Sequence, residues 1–156
     1  MISEKVQPED KATDAVQPVI NDFSITVATV NGSGSQTSNL TLMRALFKMG
    51  VPVSGKNIFP SNIQGQPTWY TIRVSSKGHL ARREDQEIVV AMNPATFTKD
   101  VDGLVAGGAL FYDDSIKIPV TRQDIHLYPM PVKQLVRDST TLFPGVRSLH
   151  LANQYR

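Results

Sequence analysis

The sequence predicts an α/β domain built on a mostly parallel sheet, and three observations carry that prediction. First, apolar residues at Phe23, Ile25, Val27 and Val30 enter a small-residue loop, Asn31-Gly32-Ser33-Gly34-Ser35-Gln36. Beyond it, Leu40, Met43, Ala45, Leu46, Phe47 and Met49 recur every three to four residues. A change from strand period to helix period across a Gly-rich turn marks a β-loop-α unit. Second, the run Glu87-Ile88-Val89-Val90-Ala91-Met92 is continuously apolar after its first residue, as a buried parallel strand should be. Third, strand-like and helix-like segments alternate along the chain, which favours a sheet covered on both faces. The expectation is a three-layer, Rossmann-like domain.

The individual elements follow in order. Met1 to Asn21 is polar, carries Pro8 and Pro18 and shows little periodicity, so 1–21 is expected to be a mobile leader before a domain over 22–156. The first strand is predicted at Phe23–Val30 and the first helix from about Gln36 to Met49. Gly50 stands where a helix C-terminal glycine belongs. Val51–Phe59 is predicted as a second extended segment, ending at Pro60, and the turn-rich stretch Ser61–Pro67 as a loop. Thr68-Trp69-Tyr70-Thr71-Ile72-Arg73-Val74, dense in β-branched and aromatic residues, is predicted as a strand. After Met92, Asn93 is predicted to cap a short helix opened by Pro94. Gly107–Tyr112 is predicted as a strand stopped by Asp113-Asp114, and Asp124–Tyr128 as the last strand. A short helix is predicted at Val132–Arg137.

Composition removes several classes of function. The chain has 156 residues, 40% of them hydrophobic, enough to bury one core. A formal net charge of +2 is too small to argue for nucleic acid. With 0 cysteines, the chain holds no disulfide, thiolate nucleophile or Cys-bound cluster. His79, His126 and His150 lie far apart, without zinc-like spacing, and no metal site is expected. No apolar run approaches the roughly 20 residues that span a bilayer. The N-terminus lacks an apolar signal core, which makes a cytoplasmic protein the expectation.

The loop Gly32–Thr37 is the first candidate site. It leaves backbone N–H groups at a helix N-terminus, a place suited to an anion; a tight turn without a ligand is the other reading. Gly32-Ser33-Gly34 begins like a dinucleotide fingerprint, but Thr37 occupies the third glycine position. Lys56 lies near the place where such a fingerprint needs an acidic residue, which argues against a dinucleotide. The cluster Arg73, Lys77, His79, Arg82 and Arg83 could hold phosphates, yet Glu84, Asp85 and Glu87 follow at once, and a solvated turn is favoured. Phe59, Trp69 and Tyr70 flank a polar loop and read equally as docking surface or core. Asp113 and Asp114 would point to opposite faces of a strand, which suits a turn better than a shared proton or metal. His126 reads as a satisfied or half-buried strand histidine rather than a catalyst. No Ser stands in a nucleophile-elbow context. No catalytic set assembles.

Several of these stretches resemble one family. Gly32-Ser33-Gly34-Ser35-Gln36, then Asn57–Gly65, then Pro67–Ser75, Val90–Pro94 and Gly107–Asp113 occur in the order seen in the gamma-type domain of 2-oxoacid:ferredoxin oxidoreductases. The variant resembled is the 2-oxoglutarate type, in which this domain forms the N-terminal part of a larger alpha subunit. The likeness runs from about Asp22 to the end of the chain. It departs in the loop, where many relatives have Gly-Gly-Gln-Gly and this chain has Gly34-Ser35-Gln36-Thr37. Side chains at Ser35 and Thr37 are expected to crowd a backbone meant to approach a ligand. The chain ends at Gln154-Tyr155-Arg156 where such relatives continue into an alpha-type domain, so a fragment or detached domain is expected.

The resemblance implies a complex that oxidatively decarboxylates a 2-oxoacid to its acyl-coenzyme A. Such a complex uses thiamine diphosphate, magnesium and iron–sulfur clusters and passes electrons to ferredoxin. The implied partners are a thiamine-binding beta subunit and an alpha-type domain, with no nucleic acid and no membrane. This chain is expected to hold none of those groups tightly and to be inactive alone. The residues expected to face coenzyme A are Gly32, Ser33, Gly34, Ser35, Gln36 and Thr37, with Lys56 and Arg73 adding positive charge. The rival is a stand-alone module binding a phosphorylated ligand or nucleotide, and a third reading is a purely structural domain.

Overall fold

Alternating side chains and a few short connections decide this architecture. The computed structural model describes residues 21–60 and 62–142. The expectations for the leader up to residue 20, for Ser61, for His150 and for the chain end lie outside the described residues. The elements are β1 (Asp22–Val30), α1 (Ser35–Lys48), β2 (Val53–Ile58), β3 (Pro67–Ser75), β4 (Gln86–Ala91), α2 (Phe97–Asp102), β5 (Leu104–Asp113), β6 (His126–Met130) and α3 (Val132–Leu142).

The strands form one six-stranded sheet in the order β2-β3-β1-β4-β5-β6. The pairs β1–β4, β4–β5 and β5–β6 are parallel. Only β3 runs against its neighbours β1 and β2. The reason is the length of the connection: the loop from Phe59 to Gln66 is too short for a crossover, so β3 must fold back on β2. The α1 crossover carries the chain from β1 to β2 one strand position further out, and β3 fills the place between them.

Alternate residues of β4 show how the three layers form. Ile88 and Val90 pack with Ile25, Val27, Tyr70, Ile72 and Val74, under Met43 and Leu46 of α1. Val89 and Ala91 face the other way and join Leu104 and Leu110 beneath Phe97 and Val101 of α2. A period of two therefore feeds both cores from a single strand. β1 lies at the centre, and Ser24 to Ala28 are all buried.

Several boundaries differ from the sequence reading: α3 runs on to Leu142, β2 is shorter at both ends, and three others have a visible cause. Asn93 does not cap α2: its Oδ1 accepts from the Ala95 amide (3.0 Å) and closes a turn, and the helix begins only at Phe97. β5 starts at Leu104, because a register irregularity opposite Gln86–Ile88 absorbs extra residues and Gly107 takes φ 76° there. The last strand lies two residues later than predicted, since Ile125 is drawn into the α2-side core and Pro129 is tolerated on the outermost strand.

Candidate functional site

Helices leave β1 and β4 towards opposite faces, although the two strands are parallel neighbours. Their C-terminal ends thus make a switch point, where α/β sheets place ligands. Asn93 bridges that crevice, its Nδ2 reaching the Thr29 carbonyl at 3.5 Å. Beside it, under the first turn of α1, lies a cavity of about 340 Å³. Thr29, Asn57, Thr68 and Tyr70 line it from the sheet; Gly32, Gly34, Ser35, Gln36, Thr37 and Asn39 line it from the loop and helix.

The loop is held from outside. The Asn31 amide donates to the Gln66 carbonyl (2.7 Å) and the Asn31 carbonyl accepts from the Gly65 amide (3.0 Å). Gly34 sits at the helix N-cap with φ 78° and ψ 1°, a conformation that only glycine adopts cheaply. The N-cap residue itself has no side chain to cap α1, and the first turn carries no acidic residue. Its N-terminal dipole is therefore open to a ligand. The side chain of Ser35 does not crowd the loop, because its Oγ turns in to bond the Thr29 hydroxyl at 2.8 Å.

Of the residues expected to face coenzyme A, Gly32, Gly34, Ser35, Gln36 and Thr37 come together at the cavity, and Ser33 adjoins them with its hydroxyl accepting from the Ser35 amide at 3.4 Å. Lys56 and Arg73 do not line it. Lys56 is exposed on β2, and strand alternation puts it on the opposite face from its neighbour Asn57, which does line the cavity. Arg73 is 3% exposed and ion-pairs with Asp22 while donating to the Phe23 carbonyl at 3.1 Å. The sequence reading missed Thr29, Asn39, Asn57 and Thr68, and weighed Tyr70 only as docking surface or core. Asn39 carried a signal: it stands four residues before Met43 and seven before Leu46, so it interrupts the inward stripe of α1.

The basic cluster is only partly the solvated turn that the sequence favours: Lys77, His79 and Arg82 are exposed, but Arg73 is buried on β3. Arg83 pairs with Glu87, with Asp85 at 3.5 Å and with Asp22 at 3.8 Å. The hydrogen bond from Arg73 holds the Asp22 carboxyl below the usual range. The aromatics divide: Phe59 is exposed, Tyr70 is buried, and Trp69 is half-buried, its Nε1 donating to Asp100 Oδ1 at 2.7 Å. His126 is exposed rather than half-buried. Asp113 ends β5 as a turn residue, accepting from the Ser115 amide at 2.8 Å.

Asp100 offers a pH test. Burial pushes its carboxyl up from 3.8, against the hydrogen bonds donated by Trp69 and Thr96. A raised folded value means that keeping the charge buried costs stability above that value, and that the cost vanishes below 3.8. Asp100→Asn keeps an acceptor for Trp69 and a donor for Thr96. The variant is expected to match or exceed the parent in urea midpoint at neutral pH and to lose that advantage on acidification. An advantage that grows as pH falls would refute this assignment.

Among the described residues, no group of three or more His, Cys, Asp or Glu side chains gathers to hold a metal ion. No described helix is long and apolar enough to cross a membrane.

The pyruvate ferredoxin/flavodoxin oxidoreductase family matches residues 24–149. No curated protein matches in sequence. Among solved structures, the 2-oxoglutarate:ferredoxin oxidoreductase from Magnetococcus marinus, solved with 2-oxoglutarate, coenzyme A and succinyl-coenzyme A bound, is similar with a TM-score of 0.68 and 24% identity, over 76% of this chain and 21% of that one. A pyruvate oxidoreductase subunit from Thermotoga maritima is similar with a TM-score of 0.52 and 20% identity, over 63% of this chain and 52% of that one. The gamma subunit of a keto/oxoacid ferredoxin oxidoreductase from Geobacter sulfurreducens has a TM-score of 0.60 and 12% identity, over 76% of this chain and 66% of that one. The chain thus spans about a fifth of the first relative's length, and at these identities the likeness is one of fold. Sequence match and fold agree: the chain belongs to the pyruvate ferredoxin/flavodoxin oxidoreductase family, as a gamma-type domain of the 2-oxoacid:ferredoxin oxidoreductases.

Proposed function

We propose that this chain is the gamma-type domain of a thiamine-dependent 2-oxoacid:ferredoxin oxidoreductase, with 2-oxoglutarate as the 2-oxoacid. The complex decarboxylates that acid oxidatively to its acyl-coenzyme A and passes the electrons to ferredoxin. The observation that carries the reading is the family match over 24–149, joined to an uncapped helix N-terminus that opens on a polar cavity. A chain with 0 cysteines brings no thiolate to an iron–sulfur cluster, so cluster, thiamine diphosphate and magnesium are assigned to the beta subunit and the alpha-type domain.

Coenzyme A, when bound, supplies the thiol that receives the acyl group. The contribution of this chain is positioning. The Ser33, Ser35 and Thr37 amides are bonded within the loop, so those of Gly32, Gly34 and Gln36 are the ones to meet a ligand, and Gly34 keeps the approach open: a Cβ there meets nothing within 4 Å. Arg73 is engaged by Asp22 and does not line the cavity, so the reading rests on the loop rather than on Arg73.

Gly34→Val places a side chain in that open space and strains the backbone at φ 78°. The assembled complex is expected to need several-fold more coenzyme A for half-maximal rate, with its 2-oxoacid requirement unchanged. An unchanged coenzyme A requirement removes the loop from the site. The isolated chain is expected to show no turnover, and any 2-oxoacid oxidation by it alone refutes the division of labour. In favour of a stand-alone phosphoryl-ligand or nucleotide module stands the cavity itself; against it stands a lining without Lys, Arg or His. A thermal shift with nucleotides but not coenzyme A would support that module.

A further inference from the structure

We propose that the cavity under α1 receives a single oxyanion, a carboxylate or a monoester phosphate, and that Asn39 Nδ2 is its principal side-chain donor. Asn39 is the buried residue of α1, at 6% exposure, and it lines the cavity. Its Nδ2 is buried and has no hydrogen-bond partner. A buried N–H without an acceptor is costly, and native proteins rarely leave one. The position makes the cost conspicuous. Asn39 continues the stripe of Met43 and Leu46, where an apolar residue would pack without penalty. An acceptor arriving from outside the chain resolves the conflict.

The remaining lining identifies what that acceptor is. The N-terminal end of α1 aims its dipole at the same space; Gly34 offers no side-chain cap, no acidic residue competes, and the side chain that takes an amide there is Ser33, whose Oγ accepts from Ser35 at 3.4 Å. Tyr70 Oη faces only the weak sulfur acceptor of Met43, at 3.9 Å, so its hydroxyl is available to turn towards a ligand. The unpartnered lining group is thus a donor, Asn39 Nδ2, and a ligand that meets it must bring lone pairs. No Lys, Arg or His lines the cavity, so the positive potential comes from dipoles alone, worth about half an elementary charge at a helix end. That offsets part of the charge of one oxyanion and is far too little for a nucleotide diphosphate.

The experiment uses the whole chain, Met1 to Arg156, with sodium acetate and inorganic phosphate as probes. The Asn39 side-chain amide resonance is followed by NMR, and melting is followed in parallel. At least one anion is expected to shift that resonance saturably and raise the melting midpoint. Asn39→Asp should weaken the response at least about tenfold, because a like charge replaces a charge-assisted donor. Asn39→Leu should abolish the response and raise the midpoint of the anion-free protein, since it removes the orphaned group. A merely structural asparagine would instead be needed for stability. Acetate active and phosphate silent assigns a carboxylate; the reverse, with coenzyme A competing, assigns a phosphate monoester. No saturable shift with either anion, or an undiminished midpoint response in Asn39→Leu, overturns the proposal. The coenzyme A reading fails separately, in the Gly34→Val test, because that test reads the assembled complex.

Discussion

Phe97→Ala is expected to lower the free energy of unfolding by about 3–5 kcal/mol, read as a fall in urea midpoint at constant m-value. Phe97 is 1% exposed and is the largest fully buried side chain among the described residues. Its ring meets Tyr112 edge-on, with centroids 5.7 Å apart, and it shares a cluster with Val89, Ala91, Val101 and Leu110. Truncation loses both the transfer free energy of the ring and the contacts of its neighbours, because a close-packed interior closes only partly around the void. The helix it opens has six residues, too short to hold itself together without tertiary contacts. Against a total stability of about 5–15 kcal/mol for a domain, that loss approaches unfolding. Phe97→Leu should cost distinctly less. A loss below about 1 kcal/mol for the alanine variant would mean that α2 collapses into the space, and that the cluster is not the anchor described.

Gly55→Val is the second large effect, expected at about 1–3 kcal/mol of destabilisation. A Cβ at Gly55 would lie 2.5 Å from Tyr70 Oη and 2.6 Å from Met43 Sδ. Both atoms must move, and both belong to the contact that seats α1 on the sheet. Tyr70 also lines the cavity, so the variant should weaken anion binding as well as folding. Tyr70→Phe in the Gly55→Val background removes the nearest clashing atom and should restore part of the stability. No recovery would mean that Met43, not Tyr70, sets the spacing between helix and strand.

The β-loop-α unit was legible because its period changes across Asn31–Gln36, and β4 was legible because its run is apolar on both faces. β3 was readable as a strand but not in its direction: Thr68–Val74 looks the same whether it pairs parallel or antiparallel. The short Phe59–Gln66 connection settles that, and only pairing partners reveal it. The α2 start was misread because Asn93 and Pro94 carry helix-opening chemistry that the structure uses for a turn instead. Arg73 illustrates the same limit. Its charge is visible in the sequence, but its commitment to Asp22 depends on β1 lying beside β3.

By itself the sequence determined the α/β class, the glycine loop, the absence of cysteine chemistry and the family, all of which are written in local composition and spacing. The tertiary structure alone decided which residues face the cavity. Asn39, Asn57 and Tyr70 come from three elements, and side-chain direction alternates residue by residue along β2, excluding Lys56 while admitting Asn57. A binding surface made of non-neighbours is a property of packing, and no local pattern contains it.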